Sequence, residues 1–456
     1  MSDTNVLLVV LDCVRARNTS VHGYRRRTTP VLEEFAETAT TYTQARSPAG
    51  WSLPSHASLL TGVSPAAHRM QITDRLREGH TVFEDLSARG YDTAVFSENP
   101  YLTVHASDLR TAFDEVVTER DDETRGISED DPDSTVDGFW YADRFGEWLD
   151  DQDGNWAACI NLMDAHTPYE TRPEYDDWQD SFAEAIHDQL PFKWRWAVYG
   201  DSVPQSVAYP LRELYDGAIK QADAAFGRVL ELLDSAGAAE ETLVVVTADH
   251  GDGFGELPAA AGDPIPLMHG MGTHEVVYHV PLLTRAPGQT EARTVSSLAD
   301  LSRFPAVVET ALSGGDTPDP GWFTADDGRV VSFQAAPNAQ EAEKARQFTE
   351  NPERFLQEMS IVYTDGPGDS VYKHASWGGE TYAARIRGTA TDSIPPETDG
   401  VCTDDPLAVA DGIAAGTTAR ISEPLDDGED ELDKYDNNEE IANVDVEQRL
   451  EDLGYL

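Results

Sequence analysis

Short, mostly apolar runs recur along the chain and predict the strands of a buried sheet. Four of them occupy residues 5–12, 91–97, 156–162 and 242–247. They lack the strict alternation of polar and apolar positions that marks a strand with one face in water, so they are typical of strands covered on both faces. The first run ends in an acid, Asp12.

Segments with helical spacing separate these runs. Residues 30–40, 81–89 and 211–236 are predicted helices, and in the last of them apolar residues recur at Leu214, Ala218, Ala222, Ala225, Val229 and Leu232. Alternation of buried strands and helices predicts the α/β class, with a doubly wound and mostly parallel sheet.

The chain divides into two predicted parts. Residues 1–318 form the α/β domain, with a solvated acidic insertion at 114–137, and residues 319–456 form a smaller α+β subdomain. Strand-like pieces at 329–333, 360–363 and 382–387 favour antiparallel pairing there, and an acidic, loop-rich stretch covers 393–436.

The charge of the chain excludes several functions. Asp and Glu number 84 against 33 Lys and Arg, a net charge of −51, so no basic face exists to bind nucleic acid or an anionic membrane. Only 5 of the basic residues are Lys. Excess carboxylate with few lysines suits a protein hydrated at very high salt, and predicts a halophile protein.

The cysteines and the lengths of the apolar stretches bear on where in the cell the protein is located. The three cysteines, Cys13, Cys159 and Cys402, are too few and too scattered for a disulfide framework or a CxxC zinc motif. No stretch reaches the roughly 18 apolar residues that a membrane span requires. We therefore expect a cytoplasmic protein without a membrane span.

Polar residues that could do chemistry follow three of the predicted strands. Asp12 follows the first, Asp164 and His166 follow the third, and Asp249 and His250 follow the fourth. Ligands of parallel sheets bind at the carboxyl ends of strands, and carboxylates with an imidazole there could hold a hard divalent cation. Taken one at a time, such acids are more often helix caps or turn formers.

The segment Ser52-Leu53-Pro54-Ser55 predicts the start of a helix. A serine oxygen beside a metal and a helix N-terminus could become a nucleophile towards a tetrahedral anion. The alternative is an ordinary N-cap serine.

Together these pieces resemble the sulfatase family of the alkaline-phosphatase-like superfamily, as an acidic member of haloarchaeal type. In order, the matching pieces are Leu11-Asp12 with Arg15, Gly23-Tyr24, Thr29-Pro30, Ser52-Leu53-Pro54-Ser55, residues 57–62 with Pro65, residues 164–169, residues 247–256, His269-Gly270, Val280-Pro281-Leu282, and Leu453-Gly454-Tyr455-Leu456. The resemblance runs through essentially the whole chain.

The resemblance implies roles for single residues. Asp12, Asp249, His250 and the nucleophile Ser52 would bind one divalent ion, with Ca²⁺, Mg²⁺ or Mn²⁺ favoured and Zn²⁺ possible in principle. His166 and His269 would bind substrate oxygens or protonate the leaving group. Three further residues are assigned to the substrate side, with His274 as a rival to His269: His56, Arg15 and His274.

Two positions depart from the family pattern and leave alternatives open. Many sulfatases have a second Asp where Cys13 stands, and His56 stands where the maturation motif Cys/Ser-x-Pro-x-Arg has Arg. The family's nucleophile is oxidised to formylglycine, whereas phosphoryl-transferring relatives use a plain Ser or Thr. The favoured substrate is a sulfate ester of a small molecule or glycan. The alternatives are hydrolysis of a phosphate ester or phosphodiester, or phosphoglycerol-type transfer, by unmodified Ser52, and a non-catalytic metal-binding relative.

Overall fold

The structure of the protein is a computed structural model. It describes residues 4–104, 107–118, 137–179, 181–188, 190, 195–199, 201, 203–257, 264–314, 321–349, 352–368, 370–387, 393–394, 405–416 and 421–425.

The strands within these residues are β1 (Asn5–Leu11), β2 (Thr40–Tyr42), β3 (Ala45–Arg46), β4 (Asp74–Leu76), β5 (Asp92–Phe96), β6 (Glu115–Val117), β7 (Trp156–Leu162), β8 (Thr242–Thr247), β9 (Gly253–Phe254), β10 (Leu267–Met268), β11 (Leu282–Arg285), β12 (Arg293–Val295), β13 (Ala299–Asp300), β14 (Arg329–Gln334), β15 (Met359–Asp365), β16 (Ser370–Trp377), β17 (Glu380–Arg387), β18 (Ser393–Ile394) and β19 (Ser422–Pro424).

The α-helices are α1 (Pro30–Ala36), α2 (Ser52–Thr61), α3 (Pro65–His68), α4 (Val82–Ala88), α5 (Pro100–Thr103), α6 (Gly138–Asp150), α7 (Ser181–His187), α8 (Arg195–Tyr199), α9 (Ala208–Ser235), α10 (Glu275–Tyr278), α11 (Phe304–Leu312), α12 (Ala339–Phe348) and α13 (Pro406–Gly416). No helix in the described ranges is long and apolar enough to cross a membrane.

A mostly parallel sheet forms the centre of the fold. In the described residues its order is β12-β2-β11-β8-β1-β7-β5-β6, and β11 runs antiparallel to both of its neighbours. The four predicted runs became β1, β5, β7 and β8, which lie side by side and parallel. Every residue of β1 is buried, as expected for the strand between β8 and β7. The α/β prediction is confirmed.

Of the three predicted helices, the second and third have close to their expected lengths, and the first, at 30–40, is shorter. α4 and α9 cover most of the segments predicted at 81–89 and 211–236. The predicted helix at 30–40 ends at Ala36, because Thr40–Tyr42 joins the sheet as β2 beside β11 and β12. Thr40 and Thr41 are β-branched, and the pairing in the sheet outweighs helical continuation.

A second, antiparallel sheet of order β14-β15-β16-β17-β18 forms the smaller subdomain. Three of its five strands were predicted, and β16 and the two-residue β18 were missed. The sheet packs on the α/β part through a buried cluster that joins Val277 and Tyr278 to Ile361 and Trp377. The predicted boundary between 318 and 319 lies outside the described residues and stays a prediction.

The structure corrects the predictions made for the two acidic stretches, 114–137 and 393–436. Glu115–Val117 is the edge strand β6 beside β5, so the solvated insertion does not begin at 114, and residues 119–136 lie outside the described part. Within 393–436, residues 406–416 form helix α13, and β19 pairs with β4 of the α/β part. The loop-rich prediction is therefore wrong for those two elements and for β18, which pairs with β17, and much of the rest of this stretch lies outside the described part.

Candidate active site

Polar side chains gather at the carboxyl ends of four neighbouring strands, β8, β1, β7 and β5. Asp12 follows β1, Asp249 and His250 follow β8, Asn99 follows β5, and Asn161 lies near the end of β7. The carboxyl ends of adjacent parallel strands share one edge of the sheet, which brings these side chains together.

Ser52 reaches this edge as the first residue of α2. Its Oγ lies 3.2 Å from Nε2 of His250. Trp51, not Ser52, occupies the N-cap position, and no side chain caps the helix there. The ordinary N-cap interpretation of Ser52 is therefore wrong. The first-turn N–H groups of a helix have no acceptor within the helix and favour negative charge, so this end of α2 suits an anion.

The side-chain amides of Asn99 and Asn161 bind one carboxylate oxygen of Asp12, and the other oxygen receives no hydrogen bond from the described residues. Its Oδ2 accepts hydrogen bonds from Nδ2 of Asn99 at 2.9 Å and from Nδ2 of Asn161 at 3.2 Å. Its Oδ1 is buried, has no hydrogen-bond partner among the described residues, and lies 3.9 Å from Nε2 of His250.

In Asp249 too, one carboxylate oxygen accepts hydrogen bonds and the other does not. Its Oδ1 accepts from the backbone N–H of Cys13 at 3.2 Å and from that of His250 at 2.9 Å. Its Oδ2 is buried without a hydrogen-bond partner in the described part of the chain, 3.3 Å from Nε2 of His250. The hydroxyls of Ser47 and Ser55 fix its backbone by donating to its carbonyl oxygen.

These orphaned oxygens fit a divalent cation. His250 turns Nδ1 towards the carbonyl oxygen of Gly251 at 3.1 Å, which directs the Nε2 lone pair at the carboxylates and at Ser52 Oγ. A buried carboxylate oxygen without a donor is costly, and a cation removes that cost. Two carboxylates, a hydroxyl and one imidazole suit Mg²⁺, Ca²⁺ or Mn²⁺, and admit Zn²⁺.

The pKa values reflect the same crowding. Burial and the neighbouring charge of Asp12 raise the pKa of Asp249. Burial lowers the pKa of His250, but the charges of Asp249 and Asp12 outweigh it, so the net shift is upward. Asp249 and His250 therefore hold their protons more tightly than they would in water, and a cation would compete with those protons.

His166 and His269 lie on the more open side of this cluster. The His269 ring is 4.6 Å from the His250 ring and 5.2 Å from the His166 ring, centroid to centroid. Nδ1 of His166 pairs with the carbonyl oxygen of Thr167 at 2.6 Å. The His269 side chain is 16% exposed, and burial lowers its pKa to about 4.

His56 lies behind Ser52, where it cannot contact a substrate. It is fully buried, with Nδ1 2.9 Å from the carbonyl oxygen of Ser52 and Nε2 3.2 Å from Oδ1 of Asn161. Both partners are acceptors, because the Asn161 amide nitrogen donates to Asp12. Both can accept from the ring, whose Nδ1 also lies 3.7 Å from Oδ2 of Asp249. The predicted substrate contact is wrong, and His56 braces the start of α2.

Arg15 and His274 are also not at the substrate side. The Arg15 side chain is buried in an ion pair with Glu256 at 2.6 Å and bonds the carbonyl oxygen of Asp252. His274 caps α10 by accepting from the N–H of Val276, and its Nε2 faces the carbonyl oxygen of Leu257. Both side chains are committed to internal structure, so the prediction of substrate binding is wrong for both.

The structure adds residues that the sequence did not single out. Asn99 and Asn161 hold Asp12, and the buried carboxylate of Asp252 lies 3.4 Å from Nδ1 of His269. The position of Asn99 after the second strand was an available signal. Asp252 was not recognisable, because an acid beside glycines normally reads as a turn residue.

The chain is similar to known sulfatases in sequence. The sequence model of the family described as Sulfatase matches residues 4–311. The ulvan-active sulfatase of Formosa agariphila is 24% identical over 320 residues, which cover 65% of this chain and 59% of that protein. Human N-acetylgalactosamine-6-sulfatase is 23% identical over 336 residues, covering 64% and 58%. The chain thus matches less than two thirds of the length of either relative.

The fold is similar to that of a phosphonate monoester hydrolase. The crystal structure of that enzyme from Agrobacterium radiobacter superposes with a TM-score of 0.63 at 17% identity, over 84% of this chain and 89% of that one. At this identity the likeness concerns the fold alone.

Proposed function

Since the chain belongs to the sulfatase family, we propose that it is a metal-dependent hydrolase of sulfate esters whose nucleophile is residue 52. One observation carries the proposal. Oδ1 of Asp12 and Oδ2 of Asp249 are buried, lack hydrogen-bond partners among the described residues, and lie near the same Nε2 of His250 that Ser52 Oγ approaches.

Asp12, Asp249, His250 and Ser52 would hold the cation. When bound, the cation lowers the pKa of the nucleophilic oxygen and neutralises charge that develops on the transferred group. Asn99 and Asn161 orient Asp12 through its other oxygen, and the N–H groups of Cys13 and His250 orient Asp249 in the same way. The ligand set is therefore pre-organised by neighbours on four strands.

Ser52 attacks sulfur at the N-terminus of α2. If residue 52 is oxidised to formylglycine, one hydroxyl of its hydrate attacks, and the other loses a proton and expels sulfate as the aldehyde re-forms. His269 and His166 lie on the open side, where the neutral His269 ring would bind a substrate oxygen and His166 would give the leaving oxygen its proton. A plain serine could attack as well, but a sulfated serine has no adjacent hydroxyl to expel the sulfate.

His56 supports a second candidate, the hydrolysis of a phosphate ester or phosphodiester, or phosphoglycerol-type transfer, by unmodified Ser52. It occupies the place of the maturation Arg, and its ring nitrogens face the carbonyl oxygen of Ser52 and Oδ1 of Asn161 rather than the side chain of residue 52. Phosphoserine is hydrolysed by attack of water on phosphorus, so no second hydroxyl is needed.

The substrate class follows from the family and stays within this proposal. The named relatives act on sulfated ulvan and on N-acetylgalactosamine 6-sulfate, which supports a glycan or another small sulfate ester as the substrate here. The non-catalytic alternative is less well supported, because every proposed ligand of the cation is retained.

Mass spectrometry of the peptide that contains Ser52 separates the two candidates. Loss of two hydrogens from Ser52, with turnover of an aryl sulfate, is the result expected for the sulfatase. An unmodified serine in a protein that turns over a phosphodiester and no aryl sulfate would contradict the first candidate and establish the second. The peptide should be isolated from protein made in the native host or a related host, where any maturation enzyme is present.

A further inference from the structure

The loop that follows β7 carries His166, and hydrogen bonds anchor it at both ends. At its start, Oδ1 of Asp164 accepts a hydrogen bond from the N–H of Gly138, the first residue of α6, at 3.1 Å. The same oxygen accepts a second one from Nε2 of Gln221 on α9 at 2.7 Å. The carboxylate of Asp164 therefore joins the start of the loop to two helices of the α/β part.

The far end of the loop is anchored through the backbone of Tyr169. Its N–H donates to Nε2 of His187, the last residue of α7, at 3.0 Å. The Tyr169 side chain is held separately, because its hydroxyl donates to Oδ2 of Asp252 at 2.7 Å and its ring packs against the rings of Tyr215 and Phe254. His187 is thus the side chain that holds the backbone at this end of the loop.

His187 accepts this hydrogen bond only as a neutral ring, because Nε2 must offer a lone pair. The proton of the neutral ring is then on Nδ1, which lies 3.9 Å from Oδ1 of Asp188. Burial lowers the pKa of His187, and the charges of Asp188 and Glu170 oppose the shift without cancelling it. The environment therefore favours the form of His187 that can hold the loop.

His166 lies between the two anchors, three residues before Tyr169. Its Nδ1 lies 2.6 Å from the carbonyl oxygen of Thr167, which is an acceptor, so Nδ1 carries a proton and Nε2 is the nitrogen left for a substrate. Proton transfer requires a donor within about 3.2 Å of the leaving oxygen, and a displacement of about 1 Å can cost of order 10²-fold in rate. The position of this short loop therefore affects the rate directly.

We propose that His187 is a positioning residue for the reaction: by accepting the N–H of Tyr169, it holds the loop so that Nε2 of His166 reaches the leaving oxygen of the ester. This inference rests on the proposed function. As the bond from sulfur to the leaving oxygen breaks, the Nε2 proton of His166 moves to that oxygen, and solvent later returns a proton to the ring. His187 itself gains and loses no bond to the substrate.

The leaving group separates this role from a purely structural one. Phenolate is a basic leaving group, with a pKa of about 10 for its phenol as for the tyrosine side chain, and it needs a proton as it departs. In 4-nitrophenolate the nitro group stabilises the negative charge, so this group departs without a proton. Loss of a positioned proton donor slows the phenyl ester selectively, whereas general damage to the fold slows both esters alike.

Two amide substitutions of His187 form a matched pair. The side-chain oxygen of glutamine can take the place of Nε2, whereas that of asparagine reaches only the place of Nδ1. We expect His187→Asn to lower kcat/KM about tenfold for phenyl sulfate and less than about twofold for 4-nitrophenyl sulfate, since a positioned acid contributes about 10²–10⁴ and only its placement is disturbed. His187→Gln should keep both values close to those of the wild type.

Hydrogen exchange gives a second readout that does not depend on turnover. In the peptide that contains residues 164–170, His187→Asn should exchange faster than His187→Gln by mass spectrometry. His374→Asn is the control for the substitution, because His374 lies on β16 of the antiparallel sheet, and it should change neither readout. Should His187→Asn not fold by circular dichroism, His187→Leu, which also lacks the acceptor, is used in its place.

Three results would overturn the inference: equal losses for the two esters, no loss in His187→Asn, or the same selective loss in His187→Gln. If the wild type hydrolyses phosphodiesters instead of sulfates, the same two leaving groups are compared on phosphodiesters. Hydrolysis of neither class by metal-replete wild type would contradict the proposed function itself. Faster exchange in His187→Asn would then leave standing only the hold of His187 on the loop.

Discussion

Asp12 and Asp249 each present one oxygen to hydrogen-bond donors and leave the other without one. Burial of two carboxylates at close range is costly unless positive charge lies between them. Nε2 of His250 lies within 3.9 Å of both carboxylates, and Nδ1 of His56 lies 3.7 Å from Oδ2 of Asp249. We therefore expect residue 52 to act as a nucleophile only when a cation completes this arrangement.

The substitution Ser52→Ala should lower kcat by at least about 10³-fold, because no other described hydroxyl takes the place of the nucleophile. Ser58→Ala is the matched control, since Ser58 is buried in the same helix and bonds His68 rather than His250. The control should retain turnover. Steady-state rates with metal-replete protein check both, and comparable turnover by Ser52→Ala would remove residue 52 from the mechanism.

The residues found from sequence are those that end a strand or start a helix. Asp12, Asp249 and His250 follow buried strands, and Ser52 precedes a proline at a helix start. His56, Arg15 and His274 were misassigned because charge and proximity along the chain do not reveal which way a side chain turns. Arg15 turns into the interior towards Glu256, and His274 caps a helix.

The antiparallel sheet supports the active site, because two of its strands bind the segment that follows His269. Gln334, at the end of β14, bonds the carbonyl oxygen of Gly270, and Lys373 of β16 bonds the carbonyl oxygen of Thr273. Lys373 also pairs with the buried Glu275 at 2.7 Å. The smaller subdomain thus fixes the chain on the carboxyl side of His269.

Lys373→Met should therefore lower the free energy of unfolding by about 3–5 kcal/mol, because it removes one of the cations from a buried carboxylate. It should also lower kcat, since the segment after His269 loses an anchor. Lys220→Met on α9 removes a surface ion pair with Asp177, and as the control it should change neither quantity by much. Denaturant unfolding and steady-state kinetics give the two readouts, and an unchanged kcat in folded Lys373→Met would separate the subdomain from catalysis.

The contact between α9 and α1 predicts a pH effect. Asp223 of α9 is buried and accepts hydrogen bonds from the N–H groups of Val31 and Leu32, yet burial raises its pKa to about 7. The folded pKa exceeds the unfolded value, so the stability that this group contributes is present below about pH 4 and is lost as pH rises through 7.

Asp223→Asn should remove that part of the pH dependence. Relative to the variant, the wild-type protein should lose unfolding free energy between about pH 4 and pH 8. Denaturant midpoints across this range at constant salt check it, with the exposed Asp92→Asn as the control. Parallel curves for wild type and Asp223→Asn would show that the carboxyl does not titrate in this window.

The sequence predicted elements best where burial is two-sided. β1 and β8 are continuous apolar runs and were found close to their full length. β6 and α13 were missed because the residues around them are acidic, and such a composition is typical of loops. β6 is recognised only by its pairing with β5, and α13 only by its packing against β15 and β16. β16 was missed because polar residues such as Lys373 interrupt its apolar pattern, although that lysine is buried in an ion pair.

Over the whole molecule, a net charge of −51 repels anionic substrates and opposes the compact state. Salt screens both effects, since the Debye length falls from about 10 Å at 0.1 M to about 3 Å at 1 M. Local positive charge at the site, from the bound cation, then decides whether an anion can bind.

Stability and turnover should both rise steeply between about 0.1 M and 3 M KCl. The free energy of unfolding by heat or urea, and kcat/KM for the preferred ester, are measured over this range. Full stability and activity in dilute buffer would remove the halophile interpretation of the acidic surface.

The central claim is tested most directly by hydrolysis of an aryl sulfate and an aryl phosphodiester in high salt, before and after removal of metal by a chelator. We expect hydrolysis that disappears with the metal, returns with Mg²⁺, Ca²⁺, Mn²⁺ or Zn²⁺, and is absent in folded Asp249→Asn under every metal. Hydrolysis of neither ester by metal-replete wild type, or hydrolysis that survives in Asp249→Asn, would contradict it.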